Sequence, residues 1–273
     1  MKKIPFTKMS GAGNDFLVIE AKKGLSYRKL AQRCCHRTEG LGADGLLVLD
    51  KSRRADFAMR IFNADGSEAE MCGNGVRCLA AYIRAKKKTK KETINVETKA
   101  GVILTQVRNR IARVRLSDPK DFTPDIPLTV NNRKIRVHYI DTGVPHVVVF
   151  VDRIEQIDVP SIGRTIRRHK RFAPRGTNVN FVEQLSSNRI AIRTYERGVE
   201  GETKSCGTGS AAAALIAQAK SLGDAKIKRG ISYRVVTHNG DVLKIHFDKQ
   251  NGEFTDVWLS GQVRWIADGN FFL

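Results

Sequence analysis

The sequence lacks any apolar run long enough to span a bilayer, so it contains no predicted transmembrane helix. Its first residues also lack the apolar core of a signal peptide, because Pro5, Thr7, Lys8 and Ser10 interrupt them. These two absences predict a cytoplasmic protein, in which thiols are reduced by default. The five cysteines therefore need not form disulfide bonds, and a few of them are candidates for catalysis.

Metal-binding and nucleic-acid-binding motifs are also absent. No Cys-X-X-Cys or paired-histidine motif occurs, and the spacing of Cys72 and Cys78 supports zinc only weakly. The net charge of +20 would suit a polyanionic partner. The positive charge is spread along the chain, however, and its densest cluster, residues 86–91, follows a predicted helix, where cations suit the helix dipole. No aromatic platform or RNA-binding signature accompanies this cluster, so nucleic acid is a disfavoured partner.

The two halves of the sequence repeat one order of predicted elements. The first half has a strand at 55–63, a helix at 76–85, a hairpin formed by 94–98 and 102–107, and a strand at 111–116. The second half has a strand at 191–196, a helix at 207–220, and a hairpin formed by 235–237 and 242–247. Cys72-Gly-Asn-Gly also resembles Cys206-Gly-Thr-Gly. Repeats of this size indicate a duplicated domain rather than a solenoid.

The repeat predicts an α+β fold with two pseudo-symmetric domains. Residues 118–127 contain three prolines and no periodicity, so they are the predicted linker. We expect an N-terminal domain over residues 1–117, completed by residues 263–273, and a C-terminal domain over residues 118–262. A cleft between two such domains is a preferred place for a ligand site.

Each half places a cysteine directly before a Gly-X-Gly turn that begins a helix. The unpaired N–H groups of a first helical turn favour a thiolate and can bind a carboxylate. If the two helix starts face each other, one substrate carboxylate could be held from both sides, with a thiol on each face of its α-carbon. One thiolate would then remove the α-proton while the other thiol delivers a proton to the opposite face. Cys72 and Cys206 are therefore the predicted acid and base.

The other three cysteines have a structural interpretation. Cys78 falls inside a predicted helix, and Cys34 and Cys35 belong to an amphipathic helix that Ser26 opens. Cysteine is commonly buried as a small hydrophobic residue. This structural interpretation is favoured for these three cysteines. It is rejected for Cys72 and Cys206, because two cysteines at matching positions of a duplication are not expected by chance.

At these residues the sequence resembles the diaminopimelate epimerase family. The matching motifs cover nearly the whole chain and lie at residues 10–16, 42–45, 63–78, 175–181 and 196–209. The resemblance implies two domains, each a mixed β-sheet curled around a central helix. It also implies interconversion of LL- and meso-diaminopimelate, in lysine and peptidoglycan precursor synthesis, without pyridoxal phosphate or a metal. A small-molecule amino-acid substrate is thus the expected partner, and a homodimer is compatible with the sequence.

The resemblance also implies the roles of individual residues. The expected acid/base pair is Cys72 and Cys206, with His146 and Glu196 supporting the two thiols. Backbone N–H groups for the reacting carboxylate would come from Gly73, Asn74, Gly207 and Thr208. The remaining substrate contacts would come from Glu196 at the reacting amine, from Asn63, Asn178 and Arg197 at the distal end, and from Asn14 beside the site.

Two departures from the family pattern concern the distal end of the substrate. Val144 stands where the family usually has Asn, and Gly45 where a polar residue is common. A racemase of another amino acid therefore stays as an alternative. A cysteine hydrolase is disfavoured because it has no use for a mirrored second cysteine. A nucleic-acid-binding protein would rest on charge alone.

Overall fold

The computed structural model describes residues 3–221 and 227–273. These residues form two compact units. Unit 1 comprises the described residues up to Arg115 together with Ser260–Leu273, and unit 2 comprises the described residues of Leu116–Leu259. None of the described helices is both long and apolar enough to cross a membrane.

Unit 1 contains two α-helices and eight strands before the chain enters unit 2, as counted over its described residues. In chain order these are β1 (Lys3–Gly11), β2 (Asn14–Glu20), α1 (Tyr27–Cys34), β3 (Gly45–Asp50), β4 (Phe57–Asn63), β5 (Glu68–Ala69), α2 (Gly73–Ala85), β6 (Thr93–Thr98), β7 (Gly101–Arg108) and β8 (Ile111–Arg115). The pairs β2–β3 and β4–β6 are parallel, whereas β1–β2, β3–β4, β4–β5, β6–β7 and β7–β8 are antiparallel. The sheet is therefore mixed.

After an additional first strand, β9, unit 2 repeats this order of elements. Its elements are β9 (Lys120–Val130), β10 (Arg133–Asp141), β11 (Pro145–Phe150), α3 (Val159–Arg167), β12 (Asn178–Ser186), β13 (Arg189–Glu196), β14 (Gly201–Thr203), α4 (Gly207–Ser221), β15 (Ile227–Val236) and β16 (Val242–Gln250). Two short 3₁₀ turns, Ile154–Gln156 and Lys170–Phe172, flank α3. The pairs β11–β12 and β13–β15 are parallel and correspond to β2–β3 and β4–β6. The pseudo-symmetry expected from the sequence is confirmed by this topology.

A helix lies at the centre of each unit. In unit 1, α2 packs against β1, β2, β3, β4, β6, β7 and β8, and in unit 2, α4 packs against β10, β11, β12, β13, β15 and β16. Ala211–Ala214 favour a helix intrinsically and let the strands approach closely, and every residue from 209 to 218 is buried. The smaller helices α1 and α3 pack elsewhere on their sheets, in separate hydrophobic clusters.

The last strand joins the two ends of the chain. Strand β17 (Glu253–Phe272) passes from unit 2 into unit 1 at Ser260. Its unit 1 part pairs antiparallel with β1, from Gly11 opposite Val263 to Lys3 opposite Phe272. The C-terminal residues thus form part of the sheet of unit 1.

The prediction of a linker at residues 118–127 is wrong for most of that segment, because β9 begins at Lys120 and pairs with β10. Register shifts in this ladder and left-handed backbone at Asp121 and Asp125 accommodate the irregular segment. Among the described pairings β9 bonds only to β10, and an edge strand tolerates prolines. Proline content therefore marked an irregular edge strand here.

Candidate active site

Cys72 lies at the start of the central helix of unit 1. It is the N-cap residue of α2, with extended backbone at φ −144° and ψ 116°, and its carbonyl accepts the first helical hydrogen bond from Val76 N at 2.9 Å. The next residues, Gly73 and Asn74, form the first turn, whose N–H groups lie at the helix end. The side chain of Cys72 is half-buried.

A chain of hydrogen bonds orients the polar groups beside Cys72. The buried Arg77 donates from Nη2 to Asn74 Oδ1 at 2.6 Å, and Asn74 Nδ2 donates to Asn14 Oδ1 at 2.7 Å. Asn14 Nδ2 in turn donates to Asp44 Oδ2 at 3.1 Å. Each amide therefore has one fixed orientation. Sequence reasoning identified Asn14 and Asn74 but missed Arg77 and Asp44, although both lie within the matching motifs.

Asn63 occupies a turn at the end of β4. Its Nδ2 donates to Ser67 Oγ at 2.9 Å, its backbone N–H donates to Ser67 O at 2.8 Å, and its side chain is exposed. Gly45 lies opposite Asn63 on β3, which brings the Gly45 departure next to a predicted contact for the distal end of the substrate.

Cys206 precedes the central helix of unit 2 in the same way. Its carbonyl accepts hydrogen bonds from the backbone N and the Oγ of Ser210, each at 2.9 Å. Its Sγ lies 3.5 Å from Thr208 Oγ1. Thr142 Oγ1 donates to the Thr208 carbonyl at 3.1 Å and so ties the first helical turn to the end of β10. The residue pair Gly207 and Thr208 therefore lies at a fixed helix start.

His146 is fully buried on β11 and is held by a residue that sequence reasoning missed. Asn180 Nδ2 lies 3.1 Å from His146 Nδ1 and 2.9 Å from the Val147 carbonyl, to which it donates. Asn180 Oδ1 accepts from Thr194 Oγ1 at 3.0 Å. Burial, with a smaller contribution from the positive Arg197, lowers the pKa of His146 to about 3. The imidazole is therefore neutral, and its buried Nε2 has no hydrogen-bond partner among the described residues.

Asn178, Glu196 and Arg197 lie together near the end of β13. Asn178 Nδ2 donates to the Pro145 carbonyl at 3.1 Å, and its Oδ1 accepts from the backbone N of Arg197 at 2.8 Å. Arg197 Nη1 donates to the Arg175 carbonyl at 3.2 Å, which leaves most of its donors for other partners. Burial raises the pKa of the Glu196 carboxyl, and the Thr203 hydroxyl partly offsets this effect.

The remaining cysteines are buried parts of helices. Burial raises the pKa of Cys78 to about 12. Cys34 and Cys35 lie at the end of α1 with their sulfur atoms 3.9 Å apart. Because a buried thiol with a raised pKa is unreactive, the structural interpretation fits Cys78. Across residues 3–221 and 227–273, no group of three or more His, Cys, Asp and Glu side chains is arranged to hold a metal ion.

Solved structures share the fold over the full chain. A phenazine biosynthesis protein of the PhzF family from Bacillus anthracis superposes with a TM-score of 0.78 at 16% identity, with 100% of both chains covered. A hydroxyproline epimerase from Agrobacterium vitis superposes with a TM-score of 0.68 at 16% identity, with 99% of this chain and 91% of that chain covered. At these identities the likeness defines the fold.

Relatives found by sequence similarity identify the family as well as the fold. Curated diaminopimelate epimerases from Caldanaerobacter subterraneus, Aquifex aeolicus and Archaeoglobus fulgidus are 39%, 39% and 40% identical, each over at least 97% of this chain and 96% of their own length. The fold and these relatives define the protein as an isomerase of the epimerase and racemase class. The family model for diaminopimelate epimerase matches residues 6–119 and 138–266, and the chain belongs to that family.

Proposed function

We propose that the protein interconverts LL- and meso-diaminopimelate by two-base proton transfer, with Cys72 and Cys206 as the acid and base and without a cofactor. One observation carries the proposal: each unit places a cysteine immediately before the Gly-X-Gly start of its central helix. The family membership supports the substrate.

The proposed chemistry follows from the two helix starts. Removing the α-proton of an amino acid develops enolate charge on its carboxylate. The backbone N–H groups of Gly73 and Asn74, with those of Gly207 and Thr208, would stabilise that charge as preorganised donors. Two thiols on opposite faces of one α-carbon would then invert the centre, because one accepts the proton that leaves and the other supplies a new proton.

The other residues bind substrate or support the thiols in this proposal. Glu196 would hold the reacting ammonium group, and His146 and Glu196 would support the thiol pair. Asn14 would lie beside the site. The distal end of the substrate would meet Asn63, Asn178 and the planar guanidinium of Arg197, which can grip a carboxylate with two hydrogen bonds.

Epimerisation in deuterated water tests the two-base mechanism. Starting from one stereoisomer, the first product should carry deuterium at the inverted centre, whereas recovered substrate stays protiated, because the thiol that reprotonates the centre holds a solvent-derived proton. Cys72→Ala and Cys206→Ala should each abolish inversion, since one face then lacks its acid or base. Mass spectrometry of both stereoisomers, separated by chromatography, gives the readout.

A matched control separates catalysis from folding. Cys34→Ala removes a buried thiol of unit 1 that the mechanism does not use, and it should keep inversion near the wild-type rate. Early product that retains the substrate's own hydrogen, or inversion that survives the loss of either catalytic cysteine, would exclude the mechanism. Activity on other amino acids but not on diaminopimelate would favour the racemase alternative. Val144 and Gly45, the two departures from the family pattern, are the reason for this alternative.

A further inference from the structure

Three buried side chains of unit 2 differ in chemistry from their counterparts in unit 1. In unit 2, His146 pairs across the sheet with Asn178, and Asn180 pairs with Thr194. In unit 1 the corresponding registers place Phe16 opposite Gly45 and Leu47 opposite Ile61. We call His146, Asn180 and Thr194 the polar trio, and Phe16, Leu47 and Ile61 the apolar trio.

One member of each trio, Leu47 or Asn180, lies against the equivalent glycine of a central helix. A Cβ added at Gly75 of α2 would lie 3.1 Å from Leu47 Cδ2 and 3.5 Å from Ile61 Cδ1. A Cβ added at Gly209 of α4 would lie 2.3 Å from Asn180 Oδ1. Each glycine is the third residue after the cysteine, so Leu47 and Asn180 occupy equivalent places beneath the two Cys-Gly-X-Gly turns.

The fold itself does not require the polar trio. Unit 1 builds the equivalent strand pairings with three apolar side chains and places Leu47 against Gly75, whereas unit 2 buries His146, Asn180 and Thr194 almost completely. Burying polar groups is unfavourable unless they are hydrogen-bonded, and an apolar alternative already exists within this chain. The polar trio therefore points to a functional requirement in unit 2.

The hydrogen bonds of Asn180 define the protonation of His146. Because Asn180 Nδ2 donates to the Val147 carbonyl, its Oδ1 faces Thr194 and its second N–H faces His146 Nδ1. The imidazole must accept at Nδ1, so the proton of the neutral ring lies on Nε2. A second proton at Nδ1 would set an N–H donor against the N–H donor of Asn180.

We infer that Asn180 is a positioning residue that holds His146 as the Nε2–H tautomer, so that His146 donates a hydrogen bond to the negative charge formed at the site and does not serve as a proton-accepting base. This inference rests on the proposed function, in which His146 would support the reacting thiols. In this role the ring stabilises a thiolate or the enolate-like intermediate while its own protonation stays constant.

Nitrogen NMR of histidine-labelled protein tests the tautomer independently of activity. The chain has six histidines, and loss of one signal in His146→Phe, which copies Phe16, assigns the ring. The wild type should show a protonated Nε2 and an unprotonated Nδ1 across neutral and mildly acidic pH. Asn180→Leu, which copies Leu47, should populate both tautomers. Asn180→Asp should move the proton to Nδ1, because a carboxylate accepts from it.

The same Asn180→Asp variant separates the donor role from a base role. An Asp–His pair strengthens a histidine base, so a base mechanism predicts that kcat is kept or raised. The donor mechanism predicts a fall in kcat on the order of 100-fold with little change in KM, together with a new ionisation in the pH profile. Thr105→Val is the matched control. It removes a buried hydroxyl that donates to the Ile94 carbonyl in unit 1, and it should change neither the His146 signals nor kcat.

The outcomes are distinguishable. Failure of the wild-type protein to epimerise diaminopimelate would refute the proposed function, and the NMR arm would still decide the tautomer. An active wild type whose His146 ring carries its proton on Nδ1, or whose Asn180→Asp variant keeps full kcat, would overturn the inference.

Discussion

The stability of unit 2 at acidic pH depends on the protonation of the buried His146 ring. Burial lowers its pKa from 6.5 to about 3. The unfolded chain therefore binds a proton below pH 6.5 that the folded chain does not bind until about pH 3. Since the unfolded state holds more protons in this window, the free energy of unfolding falls as pH falls from 6.5 towards 3.

His146→Phe should remove this part of the pH dependence. Between pH 7.5 and pH 5 the wild type should lose about 2 kcal/mol more unfolding free energy than the variant. Urea unfolding of both proteins at the two pH values measures the difference. Other groups with shifted pKa values, such as His138, act equally in both proteins and cancel. Equal losses in both would show that His146 is not held neutral by burial.

Arg197→Lys tests recognition of the distal carboxylate. Charge is kept but the planar fork is lost, so KM for diaminopimelate should rise about tenfold with kcat little changed. A substrate without the distal carboxylate should show a smaller effect. If both substrates suffer equally in steady-state assays, Arg197 belongs to the scaffold, through its hydrogen bond to the Arg175 carbonyl.

At the scale of the elements, the starts of the two central helices share one sequence pattern but differ in the space available for a side chain at the second glycine. A Cβ at Gly209 would overlap Asn180 Oδ1 at 2.3 Å, whereas the nearest atom to a Cβ at Gly75 would be the end of the Leu47 side chain, at 3.1 Å. Leu47 can adjust its rotamer. Asn180 is held by three hydrogen bonds and has less freedom to do so.

Gly209→Ala should therefore be more damaging than Gly75→Ala. We expect a loss of about 1–3 kcal/mol in unfolding free energy for Gly209→Ala, together with a fall in kcat as Asn180 shifts. For Gly75→Ala we expect a change within about 1 kcal/mol, because alanine also favours the helix. Urea unfolding and steady-state kinetics of the two variants supply the comparison. Similar costs at the two positions would contradict the steric argument.

Elements with strong local signals were predictable from the sequence, and those with tertiary causes were not. Alternation and turn residues predicted β4, both hairpins and the two central helices. Strand β9 escaped prediction because its pairing with β10 depends on bulges that leave no periodic pattern. Candidate site residues could be proposed where a motif repeats, as at Cys72 and Cys206. Asn180 acts through buried hydrogen bonds to β11 and β13, and such contacts between separate strands carry no signal in one sequence. Arg77 was missed although its bond to Asn74 is local, because an arginine inside a helix has no feature that marks it as buried.

At the scale of the whole molecule, the chain returns to its beginning. Residues of β17 pair with β1 from Lys3 to Gly11, so the two ends of the sequence share one sheet of unit 1. Unit 2 is instead a single segment of chain, Leu116–Leu259. The units should therefore respond differently to loss of the C-terminus.

Deleting residues 267–273 should weaken unit 1 selectively. The deletion removes the β17 partners of Lys3 to Lys8. Amide hydrogen exchange in this part of β1 should accelerate by about 100-fold or more, because the local unfolding free energy falls. The amides of β11 and β12 in unit 2 should keep their protection. Equal acceleration in both units would indicate that they unfold as one.

The return of β17 also sets the order in which the nascent protein can fold. A ribosome completes every strand of the contiguous unit 2 before it releases the residues that pair with β1. The usual order, in which the N-terminal domain folds first, is therefore reversed for the last step of unit 1. Until the C-terminal residues are released, one edge of β1 is unpaired. That edge carries Lys3, Pro5 and Lys8, and charges and prolines are the residues that discourage an exposed strand from pairing with a neighbouring chain.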